Sequence, residues 1–133
     1  MSLRESDLRA WSFHPDLTGM HAMQDMFCAV HAANGGHLNA AGQLVAWALA
    51  NGVKREQLTA SAGAWCYSTP EERRIWGTTM ADRSVNGSMP EKALAMGLAS
   101  KEQLQEMRDA WEVWMDADDG WFGSLHGELL IHL

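Results

Sequence analysis

The chain has 133 residues, of which 47% are hydrophobic and 20% charged, and its formal net charge is −7. This length and composition suit one domain that buries an independent core, so we predict a single domain over residues 1–133. The acidic balance argues against nucleic-acid binding, which depends on Lys and Arg. No apolar run reaches the ~18 residues that a membrane span requires, so we expect neither nucleic acid nor membrane as a partner.

The first half of the chain predicts an extended segment followed by a helix. Residues 1–16 mix charged and apolar positions and end at His14-Pro15-Asp16, a signal for a turn or a helix entry. From Leu17 to about Ala33, apolar residues recur at spacings of three and four, which is typical of one helix face. Asn34-Gly35-Gly36 then closes this helix.

A second helix and a strand follow. Asn39 is positioned to cap an Ala-rich helix that runs to Asn51-Gly52, a common helix stop. Leu58–Tyr67 mixes β-compatible residues with Ala, Ser and Gly, which predicts a strand. Its small residues permit close approach of a neighbouring backbone or a ligand.

Two capping boxes predict where later helices begin. Thr69-Pro70-Glu71-Glu72 combines an N-cap, a proline at the first helical position and a Glu whose side chain can bond back to the N-cap backbone N–H. The helix that it starts breaks at Asn86-Gly87-Ser88. A short helix is predicted over Pro90–Met96. Ser100–Gln103 is the second box, and the helix that it opens terminates around Asp116–Gly120.

The last stretch, Gly120–Leu133, predicts a strand because its residues alternate with a period of two. Within it, Leu125, Leu129, Ile131 and Leu133 fall on one face, and Ser124, His126, Glu128 and His132 on the other. Its expected partner is Leu58–Tyr67, with the intervening helices folded over the pair. We therefore predict an α+β fold, rich in helix, with a small and mainly antiparallel sheet.

Composition gives two further expectations. Seven Trp and nine Met against one Tyr suit a pocket for a planar or apolar small molecule, although large side chains more often fill the core. The N-terminus lacks the succession of a signal peptide, and Cys28 and Cys66 are more consistent with reduced thiols than with a disulfide framework. We therefore expect a cytoplasmic location.

The order of elements and several motifs resemble the C-terminal half of class I S-adenosylmethionine-dependent methyltransferases of the ubiquinone/menaquinone-biosynthesis type. The motifs are Arg4–Asp7, Asn34–Gly36, Trp65–Arg73, Ala93–Ala99 and Trp121–Glu128. The resemblance covers nearly the whole chain. It implies that segments 58–67 and 121–133 are the last two strands of a Rossmann-like sheet, with the final strand antiparallel to its neighbours.

The resemblance also implies what this chain lacks. In that family the cofactor lies on a glycine-rich loop between a strand and a helix, earlier in the polypeptide. Here Asn34-Gly35-Gly36 follows a helix and Gly63 lies inside a strand, so neither has that context. We expect that S-adenosylmethionine, the cofactor of the family, is not bound by this chain alone. The expected partners are a small-molecule substrate and either a second copy, in a homodimer, or a separate cofactor-binding half.

The family's chemistry points to six candidate site residues. Methyl transfer needs alignment of the reacting atoms, and a base where the acceptor atom carries a proton. The candidates for substrate binding are Trp11, Trp65, Tyr67 and Trp76, and the candidates for the catalytic base are His14 and His126. Core packing is the commoner role of each Trp, and His126 is also consistent with an ordinary strand histidine that faces solvent or a helix.

The remaining polar clusters indicate no metal site. No paired cysteine or H-E-x-x-H spacing accompanies the six histidines and two cysteines. Asp116, Asp118 and Asp119 lack the twelve-residue loop that an EF-hand requires, so they indicate a solvated helix end. The alternative to a methyltransferase function is a non-catalytic module, derived from that fold, that binds a ligand or forms a dimer.

Overall fold

Five α-helices and a three-stranded antiparallel sheet make up the structure, a computed structural model that describes residues 1–133. In chain order the elements are β1 (Ser2–His14), α1 (Thr18–Ala33), α2 (Ala40–Ala50), β2 (Leu58–Tyr67), α3 (Pro70–Val85), α4 (Ser88–Ala95), α5 (Lys101–Asp116) and β3 (Trp121–Ile131). A single 3₁₀ turn precedes β2. The predicted fold class, a helix-rich α+β chain with a small antiparallel sheet, is confirmed.

The strand order is β1-β3-β2, so β3 lies in the centre and runs antiparallel to both neighbours. The predicted pairing of β2 with β3 is confirmed, in a register that places Leu58 opposite Ile131 and Tyr67 opposite Phe122. The segment expected to be an extended lead-in is a full strand, β1, paired along β3 with a shift of register between Ser6 and Trp11. Its long extended run finds a partner because the second edge of β3 is otherwise unpaired.

Both faces of β3 are covered, but unequally. On one face Phe122 belongs to the main core, which it shares with residues of α1, α3, α4 and α5. On the other face Leu129 and Ile131 pack against α2. Because α2 covers only that end of the sheet, Leu125 on the same face stays 46% exposed.

Burial in β3 does not follow the division into an apolar and a polar face. Ser124 and His126, assigned to the polar face, are only 6% and 4% exposed, and they line a cavity whose other walls come from α1, α3 and the outer strands. Leu133 lies beyond the strand and is fully exposed. A period of two identifies the faces correctly but does not say which face the helices cover.

The predicted helix starts agree with the observed capping. The hydroxyls of Thr69 and Ser100 accept hydrogen bonds from the backbone N–H groups three residues on, and the side chain of Asn39 does the same for Gly42. The short helix α4 begins two residues earlier than expected, at Ser88. Pro90 is tolerated in its first turn because the first four N–H groups of a helix have no partner within the helix.

The centre of the core is aromatic and sulfur-rich. Trp111 and Trp114 of α5 are fully buried, and the Trp111 Nε1–H donates to the Met23 sulfur at 2.7 Å. The ring of Phe122 lies 5.7 Å from that of Trp111 and 6.3 Å from that of Trp114, which ties β3 to α5. None of the helices combines the length and apolar character that a membrane crossing requires.

Candidate substrate-binding site

A cavity of about 310 Å³ lies between the sheet and α3, and we call it the Trp76 cavity. Its floor is formed by Trp11, Trp65, Ser124 and His126 on the three strands, its wall by Trp76, Met80 and Arg83 of α3, and its rim includes Arg4 and Glu5. This size is at the small end of the range for small-molecule sites.

The sheet register brings the floor residues together. Trp11 of β1 and Trp65 of β2 both pair with Ser124 of β3, so the three side chains project from the same face of adjacent strands. His126 is two residues further along β3 and therefore projects from that face as well. Residues far apart in the sequence thus meet on one surface.

The wall comes from a single helix face. Trp76, Met80 and Arg83 are four and three residues apart, the spacing that places side chains one above another on a helix. The Trp76 ring lies 6.2 Å from that of Trp65, at 82°, so the two indoles form two sides of a corner. Tyr67 stacks on Trp76 at 4.6 Å with the rings nearly parallel, and it fixes the orientation of that indole.

One ring nitrogen of His126 is hydrogen-bonded within the protein and the other is not. Its Nδ1 lies 3.0 Å from the carbonyl oxygen of Ser124, and because a carbonyl can only accept, Nδ1 carries the proton. In the neutral ring, Nε2 then holds the lone pair. This atom has no hydrogen-bond partner in the protein, but it keeps some accessible surface. The ring lies 4.2 Å from that of Trp65. A buried imidazole with an oriented tautomer and a free lone pair is equipped to accept a proton.

Trp76 carries the one buried side-chain nitrogen or oxygen atom without a hydrogen-bond partner, its Nε1. Leaving a buried donor unpaired costs about 1–3 kcal/mol, so such groups are rare in folded proteins. Trp111 and Trp114 both satisfy their Nε1–H groups, on a sulfur and on a carbonyl. The exception belongs to a residue that lines the cavity, but the Nε1 atom itself has almost no accessible surface.

Of the two arginines around the cavity, one has an ion-pair partner and the other has none. The Arg4 guanidinium lies 3.5 Å from the Glu128 carboxylate and 5.9 Å from the centre of the Trp65 ring. Arg83 is an exposed side chain that makes neither a hydrogen bond nor an ion pair within the protein, and Glu5, which is also exposed, carries the opposite charge on the rim. A protein with a net charge of −7 thus presents an unpaired guanidinium to this cavity.

Four of the six predicted site residues meet in the Trp76 cavity: Trp11, Trp65, Trp76 and His126. Tyr67 lies behind Trp76, where burial, and secondarily the charge of Glu72, raises the pKa of its phenol.

The sixth residue, His14, is outside the cavity. It lies at the far end of β1, exposed, with Nε2 3.0 Å from the Asp119 carboxylate. That hydrogen bond lowers the pKa of Asp119. The sequence reasoning missed Arg83, although its spacing from Trp76 along one helix face was a usable signal.

The residues present do not fit S-adenosylmethionine as the family holds it. Two connections run from a strand into a helix, residues 15–17 and 68–69, and neither contains glycine. Gly35 follows α1 in a left-handed conformation, and Gly63 lies within β2. The structure likewise brings together no group of three or more His, Cys, Asp or Glu side chains that could hold a metal ion.

Comparison with known proteins adds no assignment. No family model matches the sequence, and no curated protein matches it. The function proposed below therefore depends on the residues of the Trp76 cavity and on the resemblance of the sequence motifs.

Proposed function

We propose that this chain is the substrate-side portion of an S-adenosylmethionine-dependent small-molecule methyltransferase of the ubiquinone/menaquinone-biosynthesis type. The observation that carries the proposal is the Trp76 cavity, where three tryptophans and an oriented histidine surround one space. The central position of β3, antiparallel to both neighbours, supports it because the family's final strand is expected to run in this way.

In the proposed reaction this chain binds the methyl acceptor and removes its proton. A planar acceptor lies against the indoles of Trp65 and Trp76, which restrict its orientation. His126 Nε2 accepts the proton of the reacting hydroxyl or amine, and the bond from Nδ1 to the Ser124 carbonyl holds the ring in place. S-adenosylmethionine supplies the methyl group in this family, and a separate cofactor-binding half would hold it. Both cysteines are unpaired, which is consistent with the cytoplasmic location we propose.

The test is transfer of a labelled methyl group from S-adenosylmethionine to a panel of phenols and amines by the full native polypeptide that carries this sequence. We expect His126→Gln to lower the rate about 10²–10⁴-fold, the usual contribution of a general base. His132→Gln is the matched control, since His132 is exposed beyond the end of β3 and contacts Thr59 outside the cavity. Absence of methyl transfer, or equal rates for the two variants, would refute the proposed role.

The second candidate is a non-catalytic module that binds a ligand or forms a homodimer. It is favoured by the sheet itself, because the outer edges of β1 and β2 have no strand partner, and open edges recruit other strands. Sedimentation velocity over a range of concentrations tests it. A dimer that forms without any methyl transfer favours the module, whereas a monomer that binds ligand only in the cavity argues against dimerisation.

A further inference from the structure

The outer edge of β2 has none of the features that keep an edge strand from pairing with another chain. The strand pairs with β3 from Leu58 to Tyr67 without a bulge, and it contains neither a charged residue nor a proline. Charged residues, prolines and bulges are the usual means by which an edge strand avoids such pairing. Every residue from 59 to 66 except Gly63 is exposed. A strand from another molecule therefore has free access to this edge.

The outer edge of β1, by contrast, is partly closed by the protein itself. The Leu8 N–H donates to the carbonyl oxygen of Leu38 at 3.0 Å, and the Leu8 carbonyl accepts from the side-chain amide of Gln24. The strand shifts its register between Ser6 and Trp11. Its charged residues are Arg4, Glu5, Asp7 and Arg9. Of the two edges, only that of β2 is left fully open.

The hydrogen-bonding pattern identifies which backbone groups of β2 face outward. The His132 N–H donates to the carbonyl oxygen of Gln57 at 2.8 Å, so the residues that follow Gln57 at intervals of two direct their N–H and C=O groups at β3. Beyond Leu58, the residues in between direct these groups away from the sheet, where no other backbone group meets them. These residues are Ala60, Ala62, Ala64 and Cys66.

This set of residues suits pairing with an identical strand. Two antiparallel strands are related by a two-fold axis perpendicular to their sheet, which keeps each side chain on its own face and joins the same residues in both directions. An axis beside Gly63 places Ala62 opposite the partner's Ala64, and Ala60 opposite the partner's Cys66. Each of these residues then both donates and accepts a backbone hydrogen bond.

The exposed charges at the two ends of β2 favour the same arrangement. Lys54 and Arg55 precede the strand, and Glu71 follows it. The same axis brings Arg55 beside the partner's Glu71, and the other exposed charges at the two ends, Glu56 and Arg74, are also opposite in sign. A parallel arrangement would instead place the basic ends of both strands together. Opposite charges across an interface fix its orientation in this way.

We infer that two copies of this chain associate through antiparallel pairing of their β2 strands, which joins the two sheets into one continuous sheet. The partner's Ser61 then lies opposite Trp65, which lines the Trp76 cavity and is 42% exposed in the single chain. The second copy therefore covers part of the surface beside that cavity. The association does not depend on methyl transfer, and it is compatible with either candidate function.

Sedimentation velocity from micromolar to millimolar concentrations measures the association, and two substitutions locate it. Ala62 lies next to the axis, so Ala62→Lys brings two ammonium groups close together in the dimer, and we expect the association constant to fall about tenfold or more. Ala46→Lys is the matched control, because it adds the same charge at an exposed position of α2, beside the half-exposed Trp47. It should leave the association constant unchanged. The urea midpoint of each variant verifies that it folds.

Amide hydrogen exchange tests the pairing without any substitution. The N–H groups of Ala60, Ala62, Ala64 and Cys66 should exchange more slowly at high protein concentration than at low concentration. The Arg4 N–H is the control, because Met1 and Ile131 exchange hydrogen bonds across β1 and β3, which leaves the Arg4 N–H directed outward from β1. Its exchange should not depend on concentration.

Three results each overturn the inference. They are a chain that stays monomeric at millimolar concentration, a dimer that Ala46→Lys weakens as much as Ala62→Lys does, and exchange at the four β2 amides that is independent of concentration. Methyl transfer by a monomer refutes the inference and supports the proposed function. A β2-paired dimer that transfers no methyl group supports the inference and refutes the proposed function.

Discussion

Leu125 and Leu129 offer a direct test of the two-sided sheet, since both are leucines on the same face of β3. Leu129 is 1% exposed beneath α2, whereas Leu125 is 46% exposed where no helix covers the strand. Sequence periodicity treats the two positions as equivalent. The structure predicts that their truncation to alanine has very different effects on the free energy of unfolding.

The expected magnitudes follow from burial. Leu129→Ala removes fully buried carbons and leaves a cavity under α2, so we expect a loss of about 2–5 kcal/mol. A leucine side chain contributes about 1.5–3 kcal/mol when fully buried, and Leu125 has only about half of its surface covered. Leu125→Ala creates no enclosed cavity, so its loss should be about 1 kcal/mol or less.

Urea unfolding followed by far-ultraviolet circular dichroism measures both variants against the unsubstituted chain. With a typical m value of about 1–3 kcal/mol/M, Leu129→Ala should lower the midpoint by about 1 M or more. The slope should stay unchanged, so that the difference reports stability alone. Equal losses for the two variants, or a larger loss at Leu125, would show that α2 does not cover this face as described.

Two further predictions concern the contact of α2 with the sheet and the start of α3. Gly127→Ala should destabilise the fold far more than Gly123→Ala. A Cβ at Gly127 meets the α2 backbone at 2.5 Å, whereas the nearest neighbours of a Cβ at Gly123 are atoms of the half-exposed Trp121 ring, which is able to move. Similar unfolding midpoints for the two variants would contradict this. Glu72→Gln should weaken the pH dependence of stability. Hydrogen bonds from the backbone N–H groups of Ser68 and Thr69 lower the pKa of Glu72 in the folded protein. The stabilising contribution of Glu72 is therefore complete above the unfolded pKa of about 4.3, and it is lost as the pH falls through the lower folded pKa. Urea midpoints at about pH 6 and about pH 3 measure it, and an equal drop for both proteins would refute the reasoning.

Local signals predicted most of the secondary structure. Side chains at Asn39, Thr69 and Ser100 cap helices through contacts with residues three positions away, so a short stretch of sequence carries the whole interaction. The strand Leu58–Tyr67 was likewise predicted with its observed bounds. The short helix α4 shifted by two residues at its start because a proline is compatible with several positions of a first turn.

The arrangement of the sheet was harder to predict because it depends on contacts between distant residues. The β1 segment pairs with β3 through residues more than a hundred positions away, and no local pattern reports such a partner. The burial of Ser124 and His126 likewise depends on where the helices pack on the sheet. Side-chain chemistry did select four residues of the cavity, but only tertiary structure separates them from His14, which has the same chemistry at an exposed position.

The place of β3 in the chain has a consequence for biosynthesis. The two outer strands share no hydrogen bonds with each other, and their common neighbour β3 is synthesised last of the three. Ser2 therefore cannot pair with Leu130 until almost the whole chain has been made. On the ribosome, β1 and β2 therefore emerge with both edges open while the helices between them are already able to form. We expect the assembly of the sheet to be slow and late, and a chaperone that shields extended segments to raise the yield of the folded protein.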